Sequence, residues 1–266
     1  GKWVVNELKI DGFRMDAVKH IKDEFIAEFL TQVRAVYGEK FYSVGEYWNG
    51  DLDTLKTYLE NIGYETDLFD VGLHFNFHEA SVEKENYDLT TILDNSVMLM
   101  DPIKAVTFVD NHDSQKGSAL ESEIESWFIP HAYAIILLSE KGYPCLFYGD
   151  YYGVGNNKSP HGWVIDKLLH VRKNNAYGEQ INYFDDPNII AFYRKGRENE
   201  INTGCVAILS NDEDGEKVIE VGKDRIGQVW EEVTGSGFED VVIDEEGNAA
   251  FRVEAQKVAV WVPKKQ

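Results

Sequence analysis

The chain has 266 residues, 43% hydrophobic and 13% aromatic, with 26 Lys+Arg against 47 Asp+Glu for a formal net charge of -21. That composition describes one large or two smaller globular domains and excludes a disordered tail, a collagen-like fibre and a disulfide-stapled mini-protein. The negative charge repels a phosphate backbone or an anionic lipid surface, and the longest apolar run, Ala132 to Leu138, is far short of the ~20 residues that cross a bilayer. Neither nucleic acid nor membrane is therefore an expected partner.

In chain order, the opening Gly1-Lys2-Trp3-Val4-Val5 lacks the basic start and long apolar stretch of a secretory signal. Ile10 to Asp16 reads as a strand, with Arg14 and Asp16 on one face because side chains alternate. Apolar residues at Ile21, Phe25, Ile26, Phe29, Leu30, Val33 and Val36 have helical spacing up to Tyr37, with Gly38 as the stop. Phe41 to Glu46 is a short strand ending on an acid. His74-Phe75-Asn76-Phe77-His78-Glu79 places two histidines four apart, but a zinc-protease helix needs its glutamate directly after the first histidine. The alternating Phe75 and Phe77 predict a strand there, with a structural or hydrogen-bonding role for the histidines. Ala105 to Val109 is a continuous apolar run, as in a strand buried on both faces, and it leads into Asp110-Asn111-His112-Asp113. Tyr133 to Leu138 suits a helix, Pro144 to Tyr148 a second buried strand with Cys145 as a small hydrophobe, and Val164 to Val171 an amphipathic helix.

This alternation predicts an α/β architecture with acids at the ends of the apolar strands. Past Asn182 the strand-like runs at Ile189–Tyr193, Cys205–Leu209, Lys217–Val221, Ala250–Val253 and Val258–Val262 predict a separate antiparallel β domain. The expected division is residues 1–181 and 182–266. Asn211-Asp212-Glu213-Asp214-Gly215 reads as a turn. Cys145 and Cys205 form neither a metal-spaced cluster nor a redox pair, which favours two free thiols and a cytoplasmic location.

Three acids can carry chemistry. Arg14 beside Asp16 would keep that carboxylate ionised, as a nucleophile requires, the alternative being a structural ion pair. Glu46 follows Val44-Gly45 and precedes Tyr47-Trp48; desolvation among aromatic surfaces favours its neutral, proton-carrying form, which suits a general acid, the alternative being an ordinary strand-end glutamate. Asp113 could stabilise a cation or bind sugar hydroxyls, or be a cap or turn residue. No phosphate-cradling Gly-rich loop, Gly-x-Ser-x-Gly elbow or Cys-His pairing at recognised spacing occurs.

Taken together, Asp11-Gly12-Phe13-Arg14-Met15-Asp16-Ala17-Val18-Lys19-His20, Val44-Gly45-Glu46-Tyr47-Trp48 and Phe108-Val109-Asp110-Asn111-His112-Asp113 resemble three signature regions of the α-amylase family of glycoside hydrolases, in order and in spacing. The resemblance is closest to bacterial liquefying and cytoplasmic members and continues through Gly142 to Asp150 into the tail at Gly204-Cys205-Val206. It implies an α/β fold, the C-terminal portion of a (β/α)₈ TIM barrel with about five strands, followed by an antiparallel β-sandwich. It implies Asp16 as nucleophile, Glu46 as general acid/base and Asp113 as the stabilising carboxylate. Arg14 and His112 would support them, and Lys19, His20 and Trp48 would line the sugar cleft.

The implied activity is retaining endo-hydrolysis of α-1,4-glucosidic bonds in starch, glycogen or maltodextrins, with glucan transfer or a non-catalytic carbohydrate-binding remnant as rivals. The family's first three barrel strands and its B domain have no counterpart here. The expectation is therefore a fragment, poorly active or inactive alone and served by a complementing N-terminal chain. The family's calcium is held mainly by that B domain. The backbone carbonyl of His20 is the only matching ligand, so no tight calcium site is expected in this chain alone.

Overall fold

The computed structural model describes residues 1–265. They form two compact units, the first from Gly1–Phe75, Leu93–Phe108 and Lys141–Cys145, the second from Asn76–Ile92, Val109–Glu140 and the chain from Leu146 onward. The architecture is α/β, with one parallel sheet and several antiparallel ones.

The first unit is built around a five-stranded sheet whose strands lie in chain order: β1 (Gly12–Met15), β2 (Tyr42–Gly45), β3 (Asp67–Phe69), β4 (Ala105–Phe108) and β5 (Tyr143–Cys145). Every neighbouring pair is parallel, with Gly12 opposite Tyr42, Val44 opposite Asp67, Leu68 opposite Ala105 and Val106 opposite Tyr143. The first three helices here are α1 (Lys2–Leu8), α2 (Asp23–Tyr37) and α3 (Leu52–Asn61). In α2, Asp23 and Glu24 lie in the first turn, favourable to the helix dipole, Ile26, Leu30 and Val33 are buried, and Gly38 ends the helix at a φ of 96°. Asp51 caps α3 by accepting hydrogen bonds from the Asp53 and Thr54 amides. Val5, Val33 and Phe41 form a core cluster with Phe13 and Phe29 against it.

Two expectations need correction. Residues 74–79 are not a strand: they lie in helix α4 (Val71–Glu83). Val71, Leu73, Phe77, Ala80 and Ser81 are buried at helical rather than two-residue spacing. The helix starts on Asp70, whose Oδ1 accepts the Leu73 amide at 3.2 Å. The same buried carboxylate accepts the Val97 amide at 3.0 Å and the Met98 amide at 2.7 Å, so it also caps the short α5 (Val97–Met100). Gly72 is required beside it, because a Cβ there would lie 2.4 Å from the Asn95 carbonyl oxygen. Nor is 144–148 a buried strand. β5 stops at Cys145, Tyr143 and Cys145 are exposed because this is the sheet's edge, and Tyr148 already opens a helix.

The second unit carries α6 (Ile129–Leu138), α7 (Tyr148–Tyr152), a small hairpin β6 (Gly153–Val154) with β7 (Asn157–Lys158), and α8 (Gly162–Asn174). β8 (Gln180–Tyr183), β9 (Ile189–Arg194), β10 (Cys205–Ser210), β11 (Gly215–Glu220), β12 (Val229–Glu232), β13 (Val241–Val242), β14 (Asn248–Val253) and β15 (Val258–Pro263) follow. They make a six-stranded sheet in the order β13-β12-β15-β10-β9-β8 and a two-stranded sheet of β11 and β14. The five strand-like runs read from the sequence are β9, β10, β11, β14 and β15. Tyr193, Trp230, Phe251 and Trp261 anchor their shared core. The C-terminal carbonyls of α6 are met by two arginines, Arg172 on Leu137 and Arg194 on Leu138, each at 2.6 Å. Asn211 lies in a bend as expected, and its buried amide fastens the Lys84 and Tyr87 carbonyls at 2.8 Å each.

Two buried acids stand out in this unit. Asp110 accepts from the Ser114 hydroxyl at 2.7 Å, and Asp150 accepts from the Tyr133 hydroxyl at 2.7 Å. Burial, then the charge of Asp110, pushes the Asp150 carboxyl from 3.8 up to about 7, the Tyr133 hydrogen bond opposing. The folded state therefore holds this proton more tightly than the unfolded chain does, and its contribution to stability is lost as pH rises through about 7. Asp150→Asn keeps an acceptor for Tyr133 without a titrating group. The variant's thermal midpoint should rise relative to wild type between pH 5 and pH 8, read by circular dichroism at each pH; a constant difference would contradict the assignment.

Candidate active site

The first unit carries six of the expected site residues, and two of them, Asp16 and Glu46, meet on the guanidinium of a third, Arg14. The parallel register of β1 and β2 sets Arg14 opposite Val44 and Met15 opposite Gly45. Continued one step, it places Asp16 opposite Glu46, and the Glu46 amide donates to the Met15 carbonyl at 2.9 Å. Arg14 reaches both acids: Nη1 is hydrogen-bonded to Asp16 Oδ1 and Nη2 lies 2.7 Å from Glu46 Oε1. The alternation read from the sequence, Arg14 and Asp16 on one face, is what the strand delivers.

The environments of the two carboxylates differ sharply. The Asp16 side chain is 72% exposed and that of Glu46 only 7%. Ala17 takes a left-handed φ of 48°, and its amide donates to Glu46 Oε2 at 3.2 Å. Oε1 is buried, with the Arg14 guanidinium at 2.7 Å as its countercharge and no further hydrogen-bond partner among the described residues. Gly45 keeps the approach tight, since a Cβ there would lie 3.3 Å from both Leu68 and Val18.

Lys19 and His20 follow in a 3-10 turn, Val18–His20, closed by the His20 amide on the Ala17 carbonyl at 3.0 Å. Both are exposed. Lys19 Nζ donates to the Trp48 carbonyl at 3.1 Å, which ties the segment after β1 to the segment after β2. The Trp48 ring packs against His74 at 5.5 Å and Phe108 at 6.0 Å between centroids. His74 in turn lies nearly parallel to Phe108, 5.0 Å away. His74 is thus a buried wall for the half-exposed indole, consistent with the structural role read for it.

His112 and Asp113 belong to the second unit. His112 Nε2 is 3.3 Å from Asp113 Oδ2, the pairing that a supporting histidine would make. Their loop is an Asx turn, the Asn111 side chain accepting the Asp113 amide at 2.8 Å and the Ser114 amide at 2.9 Å. Buried Asp110 anchors this loop through Ser114 and, at 3.3 Å, through the Ile124 amide. The sequence flagged Asp113 but not the anchoring work of Asp110, whose only signal was its place directly after an apolar strand.

Among the described residues no group of three or more His, Cys, Asp or Glu side chains converges to hold a metal. The single carbonyl of His20 is far from the 6 to 8 oxygens that calcium takes.

The family model for the α-amylase catalytic domain matches residues 1–248. The chain belongs to the α-amylase family. It is 42% identical over 266 residues to an α-amylase of Bacillus licheniformis, covering 98% of this chain and 52% of that protein. It is 41% identical over 272 residues to the cytoplasmic α-amylase of Escherichia coli (strain K12), covering 98% of this chain and 54% of that one. The crystal structure of the α-amylase of Geobacillus thermoleovorans, complexed with acarbose, shares the fold at a TM-score of 0.71 and 20% identity, over 100% of this chain and 62% of that one. The chain thus spans about half the length of the curated relatives it matches, within a family of glycoside hydrolases. Among the described residues of this α-amylase family member no helix is long and apolar enough to cross a membrane.

The bridging guanidinium generates a test. Replacing Arg14 by Met removes the charge that faces the buried Glu46 carboxylate and should lower stability by about 1–3 kcal/mol. Arg14→Lys should recover less than half of the loss, because one ammonium cannot present two nitrogens in a fixed plane. Denaturant midpoints read both values, and a lysine variant equal to wild type would contradict a bridging role.

Proposed function

We propose that this chain carries the catalytic centre of an α-amylase that hydrolyses internal α-1,4-glucosidic bonds of starch, glycogen or maltodextrins with retention of configuration. The observation that supports it is the pair of unlike carboxylates on one guanidinium: an exposed, ion-paired Asp16 and a buried Glu46. Two carboxyl groups in contrasting environments are what a retaining glycosidase needs.

In this reading Glu46 donates its proton to the glycosidic oxygen while an Asp16 oxygen attacks the anomeric carbon, so that the C–O bond to the leaving sugar breaks as the bond to Asp16 forms. Glu46, now ionised, takes a proton from water, the hydroxide adds to the anomeric carbon, and Asp16 leaves. Two inversions give net retention. Arg14 holds Asp16 as the leaving carboxylate and fixes its direction. Asp113, paired with His112, stabilises the positive charge that develops on the sugar ring. Lys19, His20 and Trp48 bind the chain of sugars, the indole face of Trp48 offering an apolar surface to a pyranose ring.

The reading extends to the fold. We take residues 1–181 as part of a (β/α)₈ barrel with five of its strands and residues 182–266 as a β-sandwich. Catalysis then draws on a complementing chain that supplies the remaining length of the relatives. A cytoplasmic location is the reading consistent with the free thiols.

The test is hydrolysis of a blocked maltoheptaoside by the chain, alone and with a complementing N-terminal half, in wild type, Asp16→Asn and Glu46→Gln forms. Each variant should lose on the order of 10²–10⁴-fold in kcat with folding intact by near-UV circular dichroism. Turnover unchanged in both variants would overturn the proposal. The products separate water from a second sugar as acceptor: shorter maltodextrins mean hydrolysis, longer ones mean glucan transfer.

A further inference from the structure

Asp110 is 4% exposed, and both of its oxygens accept: Oδ1 from the Ser114 hydroxyl at 2.7 Å and Oδ2 from the Ile124 amide at 3.3 Å. Ser114 is fully buried and carries the connection onward, its Oγ accepting the Asn111 amide at 3.0 Å. The Asn111 side chain in turn accepts the Asp113 and Ser114 amides. An unbroken set of hydrogen bonds therefore runs from a buried carboxylate, through one hydroxyl, to the backbone of Asp113, whose own carboxylate faces His112.

The Ser114 hydroxyl has two acceptors within reach. Besides Asp110 Oδ1, the Asn111 carbonyl lies 3.3 Å from Ser114 Oγ. While Asp110 is ionised its oxygen is the better acceptor, being closer and carrying a full charge. A proton added to the carboxylate sits on an oxygen that already faces a donor. On Oδ1 it makes the carboxyl the donor and turns the Ser114 hydroxyl to the Asn111 carbonyl, so the turn has two discrete arrangements.

That proton is accessible near neutral pH. Burial raises the Asp110 carboxyl from 3.8 to about 6, against the Ser114 and Ile124 bonds; Glu123 raises it further and His78, whose Nδ1 meets the Glu123 carbonyl at 2.8 Å, lowers it. Asp150, hydrogen-bonded to Tyr133, is raised by burial and then by the charge of Asp110. Asp110, Glu123 and Asp150 line one cleft of about 700 Å³, which has ample room for the water that delivers a proton.

We propose that Asp110 is a positioning residue that couples Asp113 to pH: ionised, it holds the Ser114 hydroxyl and with it the turn that sets Asp113 beside His112, and protonated, it releases that hydroxyl to the Asn111 carbonyl and loosens the turn. The one chemical event is transfer of a proton from hydronium to Asp110 Oδ1, with rotation of one O–H. That Asp113 serves catalysis rests on the function proposed above, while the coupling concerns the turn alone and is read without turnover.

Backbone amide shifts of the full chain, followed by NMR between about pH 4.5 and pH 8, test the coupling. The Ile124 amide, bonded to Asp110 Oδ2, reports the ionisation of Asp110 directly. The Asp113 amide should show a step at the same pH in wild type and in His112→Gln, and no step in Asp110→Asn or in Ser114→Ala, although Ile124 still titrates in the serine variant. An Asp113 amide that ignores the Ile124 step in wild type, or that keeps it in Ser114→Ala, would overturn the proposal; the serine comparison decides even if Asp110→Asn fails to fold. With the complementing half, Asp110→Asn should lower kcat on the blocked maltoheptaoside roughly five- to tenfold while KM moves less than twofold. If no form turns over, the function proposed above falls, and the amide steps still decide the coupling.

Discussion

One guanidinium governs the arrangement of the first unit. Arg14 sits near the end of a strand only four residues long, and the parallel pairing of β1 with β2 decides what it can reach. Asp16 is its neighbour along the chain. Glu46 is its neighbour only because the register is Gly12 to Tyr42; a slip by one residue would turn Arg14 to the other face and leave the Glu46 carboxylate buried without a countercharge. The pairing therefore fixes the contrast between an exposed carboxylate and a buried one. Lys19 on the Trp48 carbonyl and Ala17 on Glu46 Oε2 lock the two segments that follow the strands, so the placing of these side chains rests on backbone registry more than on loop conformation.

The remaining strand ends show why acids there are not interchangeable. Asp70 follows β3 as Glu46 follows β2, yet its two oxygens accept three backbone amides at the starts of α4 and α5. Asp110 follows β4 and holds the loop that presents Asp113. Both carboxylates hold the scaffold, Asp70 through three backbone amides and Asp110 through the Ser114 hydroxyl and the Ile124 amide. Glu46 instead faces the Arg14 guanidinium at 2.7 Å, and Asp16 stands in the open. Position at a strand end is shared by all of them, and what separates them is the partner: amides and a hydroxyl for Asp70 and Asp110, a shared guanidinium for Glu46 and Asp16.

The local features were the legible ones. The helix from Asp23 to Tyr37 follows from its apolar spacing and Gly38, the buried β4 from its unbroken apolar run, and the C-terminal strands from short runs between turn residues. The Arg14–Asp16 pair follows from strand alternation alone. Its extension to Glu46 did not, since a contact across 32 positions is set by registry between strands. The segment 74–79 misled because Phe75 and Phe77 alternate by chance of helix geometry: Phe75 meets Trp48 and Phe77 meets Phe128, and the deciding element, the Asp70 cap, lay upstream of the pattern. β3, three residues long, offers too few alternations to detect. Cys145 read as buried because composition does not say which strand is the last of a sheet.

The central claim is that Asp16 forms a bond to the sugar while Glu46 handles the proton. A fluorinated α-glucosyl fluoride, whose covalent intermediate turns over slowly, incubated with the chain and its complementing half and followed by peptide mass spectrometry, tests this directly. The account predicts one glycosyl adduct, on the peptide carrying Asp16, absent in Asp16→Asn. An adduct on Glu46 or Asp113, or steady turnover of the reagent with no adduct at Asp16, would contradict it.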